Sequence, residues 1–255
     1  SGIRSVRNAG NWRVIPTFLR DWKDRESDNR WKYSFADYKY GKNTTTGEDG
    51  VKLVINASGN IEDAIKDDAK DALKKSYIDN VCPRKWDTEE YVNSANYLID
   101  ANLSNINWYI LRYADVLLLY AEALNEWKGG PTTDAYAAIE KVRKRGYNGA
   151  NGYKLTQGMD QAQFREAIQK ERAYELAFEG HRRLDLVRWG IYFETIEKTH
   201  TALNEWGDNS DIDKAKNPIP NYVVYDYTKK GQHELMPIPQ REMDLCTQFN
   251  QNPGW

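Results

Sequence analysis

The sequence predicts a mainly α fold in which pairs of helices pack with long irregular loops and a few short strands. Three stretches carry that expectation. Residues 110–127 read ILRYADVLLLYAEALNEW. There Arg112, Asp115, Glu122 and Glu126 fall within about 80° of one another at roughly 100° per residue, and the rest of the circumference is apolar. Residues 133–145 place Ala135, Ala138, Ile139 and Val142 at the i, i+3, i+4, i+7 steps of one helical face. Residues 171–190, ERAYELAFEGHRRLDLVRWG, carry Tyr174, Ala177 and Phe178 at similar steps, then a glycine stop at Gly180, a second short helix and another stop at Gly190.

The elements follow in order. In residues 8–43, Trp31, Tyr33 and Phe35 alternate with polar residues at the two-residue period of a strand. Trp12, Trp22, Tyr38 and Tyr40 add rings among Gly, Asp and Asn, a composition that favours loops. Residues 47–60 read as turn, short strand at 52–55 and turn, a hairpin edge. Residues 61–75 carry a weak helical stripe amid Lys and Asp. The connection 76–107 contains CPRKWDTEEY, which presents Trp86 beside Arg84, Lys85 and Asp87. After the central helix, Gly129-Gly130-Pro131 breaks the chain before the helix at 133–145, with Gly146 as its cap. That pair is an αα-hairpin whose Ala-rich face is similar to the seams of tetratricopeptide-type helix pairs. Asp160 is placed to cap a third helix, with Gln163 at the capping-box position. Residues 191–203 extend as helix, 204–220 as loop and 222–227 as strand. The proline-punctuated tail, LMPIPQREMDLCTQFNQNPGW, is too apolar to be a disordered end and is expected to wrap across the helices.

Charge and composition exclude several functions. A net charge of −2 and a pI near 6.0 leave no concentrated basic face for nucleic acid. The KVRKR run at 141–145 falls at a helix C-terminus, where cations complement the dipole. Cys82 and Cys246 stand far apart without metal-ligand spacing, and the Asp residues at 208–213 do not match a calcium loop. No nucleophile–base pair stands out, so no catalytic residue, metal ligand or cofactor is expected. Asp115 and Glu122 interrupt the most hydrophobic helix, and no 18-residue apolar run exists. The opening Ser1-Gly2-Ile3 has no leader pattern and reads as the start of a mature, engineered or truncated product. Arg172, Glu179, Arg182, Arg183, Asp185 and Arg188 alternate with apolar residues, which points to a structural ionic lock. In it, Arg182 and Arg188 are expected to pair with Asp185, Glu179, Asp115 or Glu122.

The chain holds nine Trp and seventeen Tyr against six Phe, a bias toward rings with both an apolar face and a polar edge. Such rings suit sugars, whose C–H faces stack while their hydroxyls need polar partners. The candidate ligand residues are therefore Trp22, Trp31, Tyr33, Tyr38, Tyr40 and Trp86, with Arg84 and Asp87 as polar partners. Trp22 and Trp86 rank highest because their surroundings are turn-rich. Trp31, Tyr33 and Phe35 have the alternative of forming one buried strand face.

Three motifs in sequence carry a resemblance: RYADVLL-YAEA at 112–123, ER--EL-FEG-R--DL-RWG at 171–190 and PIP--E-D------QNPG at 237–254, with a looser PTF---W-----DNR near the start. Together they resemble the SusD/RagB family, and they correspond to its C-terminal half. The resemblance implies one domain over 1–255 with the family's N-terminal half absent. It implies a non-catalytic outer-membrane lipoprotein, facing outward, that captures glycans, or sometimes peptides, and passes them to a SusC-type TonB-dependent transporter. Membrane association would then come only through a lipid anchor outside this chain. The family's motifs are scaffold, so no ligand residue is carried over from them. An enzyme with paired carboxylates and a helical-repeat adaptor for a protein partner are the competing classes.

Overall fold

The computed structural model describes residues 14–22, 24–36, 38–41, 43–48, 51–54, 81–86, 107–149, 151–208 and 225–255. The fold is mainly helical, as the sequence predicts. The chain forms two compact units, 1–182 and 183–255. The helix expected at 61–75 lies outside the described residues, as do Trp12 and the turn at 56–60.

Unit 1 begins with α1 (Pro16–Arg20) and α2 (Arg30–Ser34), then two small antiparallel sheets. Strand β1 (Phe35–Ala36) pairs with β4 (Cys82–Pro83), and β2 (Tyr38–Gly41) with β3 (Val51–Val54) in a register that sets Tyr40 opposite Lys52. The strand expected through Trp31, Tyr33 and Phe35 is mostly helix. The Asp28 carboxylate accepts the Arg30 N–H at 3.0 Å and the Asp28 carbonyl accepts the Trp31 N–H at 3.0 Å, which starts a helical turn. The alternation was ambiguous because residues 31 and 35 are also four apart. With Trp31 in α2 and Phe35 extended just after it, their rings meet at 5.1 Å, while Tyr33 faces solvent, 59% exposed.

Three longer helices follow: α3 (Tyr113–Lys128), α4 (Thr133–Gly146) and α5 (Gln161–Glu175). Their shared core holds Leu118, Ala121, Ala135, Ile139, Phe164 and Ile168, and the alanines let α4 lie close against α3. Helix α3 ends at Gly129 in the left-handed conformation, φ 70°. Asp160 and Gln163 form the expected capping box on α5. Gly146 plays a different part from the expected cap. It is the last residue of α4, and a Cβ there would lie 2.5 Å from Arg30 Nε, so the position needs glycine to admit the guanidinium.

Helix α3 starts later than its pattern suggests. Arg112 has extended backbone, φ −140° and ψ 160°, as it reaches toward the end of α5. The face of α3 that packs mixes apolar and polar residues, and much of the apolar surface stays outside. Asp115, Leu118, Ala121 and Asn125 are buried, whereas Tyr113, Val116, Leu119, Tyr120 and Trp127 are exposed. Of the polar stripe, Asp115 points inward and Glu126 stays at the surface, and α5 supplies a partner to each. Arg172 meets Asp115 at 2.6 Å with both side chains buried, and Arg165 meets Glu126 at 2.5 Å.

A second, aromatic core joins the N-terminal segment to the end of α5. Trp22 stacks on Tyr174 at 4.1 Å, Phe18 and Phe35 meet Trp22 edge-on, and Phe178 meets Phe35 at 5.8 Å. Phe178 itself takes a positive φ of 65° in the turn that ends this helix.

Unit 2 contains most of α6 (Arg182–Arg188), then α7 (Tyr192–Asp208), a 3₁₀ turn at Tyr225–Tyr227 and α8 (Gln240–Leu245). Gly190, φ 70°, makes the turn between α6 and α7 as the sequence predicts. The strand expected at 222–227 is a 3₁₀ turn over its described part. Tyr225 packs there against His200 at 4.5 Å instead of extending. The tail also contains more structure than its prolines suggest, since Pro239 stands at the N-cap of α8. The Gln251 side-chain amide clamps Ile238, accepting its N–H at 2.8 Å and donating to its carbonyl at 2.9 Å.

Candidate functional site: an aromatic platform on an ionic lock

Helix α5 and the turn after it project Glu171, Glu175 and Glu179 at four-residue steps, so the three carboxylates share one side. All three are buried. Each is met by cations from elements far apart in sequence. Arg30 reaches Glu171 at 2.5 Å and Glu175 at 3.1 Å, and also Asp28 at 2.8 Å. Arg143 meets Glu171 at 3.0 Å. Arg112 binds both Glu175 and Glu179, the latter at 2.7 Å. Arg145 also pairs with Glu175, and Lys85 meets Glu179 at 2.5 Å.

The electrostatics show which effect wins. Burial alone would raise the Glu175 pKa, but Arg112, Arg145 and Arg30 outweigh it and hold the carboxyl below its ordinary value. For Lys85, burial is the larger effect and depresses the ammonium pKa despite Glu179. This lock replaces the expected one in its details. Arg172, Glu179 and Asp185 are buried as expected, and Arg188 pairs with Asp185 at 3.0 Å. Arg182 is exposed and donates to the Gln169 carbonyl at 3.3 Å. Glu179 is taken by Arg112 and Lys85, and Asp115 by Arg172.

The lock fixes the segment that carries the surface rings. Lys85 also donates to the Glu175 carbonyl at 2.9 Å, and Trp86 Nε1 donates to the Phe178 carbonyl at 3.1 Å. Trp86 is therefore half-buried and immobilised by its polar edge. Trp108 stacks on it at 4.6 Å, the planes 6° apart, and Tyr109 lies 5.9 Å from it. Trp108 and Tyr109 are about half exposed, 52% and 49%. A Cβ on Gly180 would stand 3.4 Å from the Trp108 ring, so a bare glycine backs this stack. Two residues before Trp86, the Arg84 guanidinium lies 5.7 Å from the Tyr33 ring and 5.6 Å from that of Tyr38, and it donates to the Lys32 carbonyl at 2.9 Å.

The structure thus sorts the predicted ligand residues. Tyr33, Arg84 and Trp86 reach the surface. Trp22, ranked with Trp86, is fully buried: its turn-rich neighbours fold over the ring, and Tyr174 covers its face. Tyr38 is buried at 4% exposure, beneath the Arg84 guanidinium. Trp31 is half-buried, packed edge-on against Trp22 at 6.0 Å with Arg25 over its ring. Tyr40 sits in β2, and Asp87 lies outside the described residues. Trp108 and Tyr109 were missed because they fall between the predicted connection and the predicted central helix. Two adjacent rings just before a helix start were the available signal. Among the described residues no group of three or more His, Cys, Asp or Glu is placed to hold a metal, and Cys82 and Cys246 are not joined by a disulfide.

Comparison with known proteins agrees with this architecture. Over 139 residues the chain is 41% identical to SusD-like protein P25 of Formosa agariphila, a match covering 54% of this chain and 22% of that protein. SusD-like protein P2 of the same organism is 38% identical over 88 residues, 33% of this chain and 17% of that one. The crystal structure of a SusD homolog from Bacteroides thetaiotaomicron superposes with a TM-score of 0.77 at 46% identity, covering 99% of this chain and 47% of that one. The chain thus spans about half the length of that solved relative and about a fifth of the curated ones. The SusD family model matches residues 20–255, and the chain belongs to that family.

Proposed function

We propose that this chain is part of a non-catalytic, cell-surface glycan-binding protein that passes oligosaccharides or polysaccharides to a SusC-type TonB-dependent transporter in the outer membrane. The observation that carries the reading is the Trp86–Trp108–Tyr109 platform: flat rings, half exposed, held by a hydrogen bond and a buried ionic lock. A platform already fixed loses little side-chain entropy when a sugar stacks on it. Family membership supports the transporter partnership and the outward-facing location. Attachment would come through a lipid anchor, and among the described residues no helix is long and apolar enough to cross a membrane.

The buried carboxylates favour binding over hydrolysis. A glycosidase needs one carboxyl with a raised pKa to protonate the leaving group. Glu175 is shifted the other way, and Glu171 and Glu179 are each engaged by two cations. A peptide-binding member of the same family is the second reading, favoured by the exposed apolar face of α3 at Val116, Leu119 and Tyr120. Calorimetry against soluble polysaccharides and a peptide mixture, with reducing-end analysis of the products, tests both. Glycan binding without new reducing ends is the expected result. Turnover at enzyme-like rates, or binding of peptides alone, would replace this reading.

A further inference from the structure

Unit 2 contains a shallow cleft of about 220 Å³ that none of the sequence motifs pointed to, lined among others by Arg183, Tyr192, Tyr227, His233, Met236 and Trp255. Its volume is below the ~300 Å³ where pockets for drug-sized ligands begin, so it suits a single ring. The cleft is built on fixed groups. Trp255 Nε1 donates to the Gln232 carbonyl at 3.2 Å, and Gln232 Nε2 donates back to the Gly254 carbonyl at 2.6 Å. Gly254 has φ +86°, and a Cβ there would fall 2.9 Å from Gln232 Cβ, so this closure needs glycine. The terminal indole is thus held by its edge while 47% of the residue stays exposed, and Tyr227 is 76% exposed.

The charged side chain of this lining is Arg183, beside Thr228, His233 and the tyrosine hydroxyls. Arg183 is exposed, donates to the His233 carbonyl at 2.8 Å and lies 5.4 Å from the Tyr192 ring. Among the described residues no carboxylate forms an ion pair with it, in contrast to Arg188, which pairs with Asp185. His233 Nδ1 accepts the Lys229 N–H at 2.9 Å, so the neutral imidazole keeps its proton on Nε2 as a second donor. Its ring lies 5.3 Å from Trp255. Open aromatic faces beside a pinned, unneutralised guanidinium match a sugar ring that carries an anionic substituent.

We infer that this cleft binds one saccharide residue bearing a carboxylate or a sulfate, its C–H face on Trp255 and Tyr227 and its anionic group on Arg183. The inference rests on the glycan-binding reading and adds a second subsite with charge selectivity. Calorimetry of the full chain at low salt tests it, with tetragalacturonate, a sulfated galactan tetrasaccharide and neutral cellotetraose as probes. At least one anionic probe should bind tenfold or more tighter than cellotetraose, and the pair of anionic probes separates carboxylate from sulfate. Arg183→Gln, at an exposed position, should keep its melting temperature and lose the charge preference. Trp255→Ala should weaken the anionic probe about tenfold, whereas Trp108→Ala, in unit 1, should leave the charge preference intact. Equal affinity for neutral and anionic probes, or an anionic preference that survives Arg183→Gln, overturns the subsite while leaving glycan binding standing. No binding of any saccharide, charged or neutral, overturns both.

Discussion

Glu175 is the residue on which the ionic lock turns, because Arg30, Arg112 and Arg145 all converge on it. Replacing it with Ala removes the carboxylate that Arg30 and Arg112 share, but leaves Asp28 and Glu171 to Arg30 and Glu179 to Arg112, so the cost should stay within the ~3–5 kcal/mol of breaking a buried pair outright. Thermal or urea unfolding should show that loss. Its pKa adds a pH dependence whose sign follows from the shift. Because the folded-state pKa is depressed, the stabilisation is fully present above the ordinary carboxylate value, and it declines as pH falls below that value and through the lowered one. Glu175→Gln should therefore flatten the acid limb of a stability-versus-pH curve, and an unchanged limb would place the acid sensitivity elsewhere. Trp22 makes the contrast between burial and recognition at the same scale. With its ring stacked on Tyr174 and fully buried, Trp22→Ala should cost about 3–5 kcal/mol in stability. Any oligosaccharide should still bind the folded fraction with unchanged affinity.

Helix ends and faces were legible in the sequence where their cause is local. The capping box at Asp160 and Gln163 needs only four consecutive residues, and it is present. Asp160→Ala should lower stability by about 1 kcal/mol, within the ~0.5–2 kcal/mol range for lost caps. The start of α3 was misplaced because Arg112 leaves the helix to reach carboxylates more than sixty residues onward. The inward placement of Asp115 on α3 was unreadable for the same reason, since that carboxylate is tolerable in the core only with Arg172 beside it. Gly146 shows the limit from the other side. As a glycine near a helix end it reads as a cap, whereas its absent side chain makes room for Arg30. Gly146→Ala should therefore destabilise the fold by displacing Arg30 from Asp28 and Glu171, and unfolding midpoints compared with Gly130→Ala, which meets open space, check that directly.

At the scale of the whole molecule, helix content and family were readable because they rest on periodicity and on three motifs that keep their order. The surface rings were not, because exposure depends on which distant element covers a ring. Trp22 and Trp86 look alike in sequence, yet Tyr174 buries the first and Trp108 leaves the second at the surface. What remains is a scaffold in which a buried ionic lock holds a stacked indole pair at the surface. The central claim is that this pair binds a sugar ring without cutting the chain it belongs to. The most direct measurement is calorimetric titration of wild type and Trp108→Ala with the tightest-binding polysaccharide, with reducing ends assayed in the same samples. The account predicts affinity about tenfold weaker in the variant, equivalent to about 1.4 kcal/mol, with an unchanged melting temperature and no new reducing ends in either sample. Equal affinities in the two proteins, or reducing ends that accumulate with time, would contradict it.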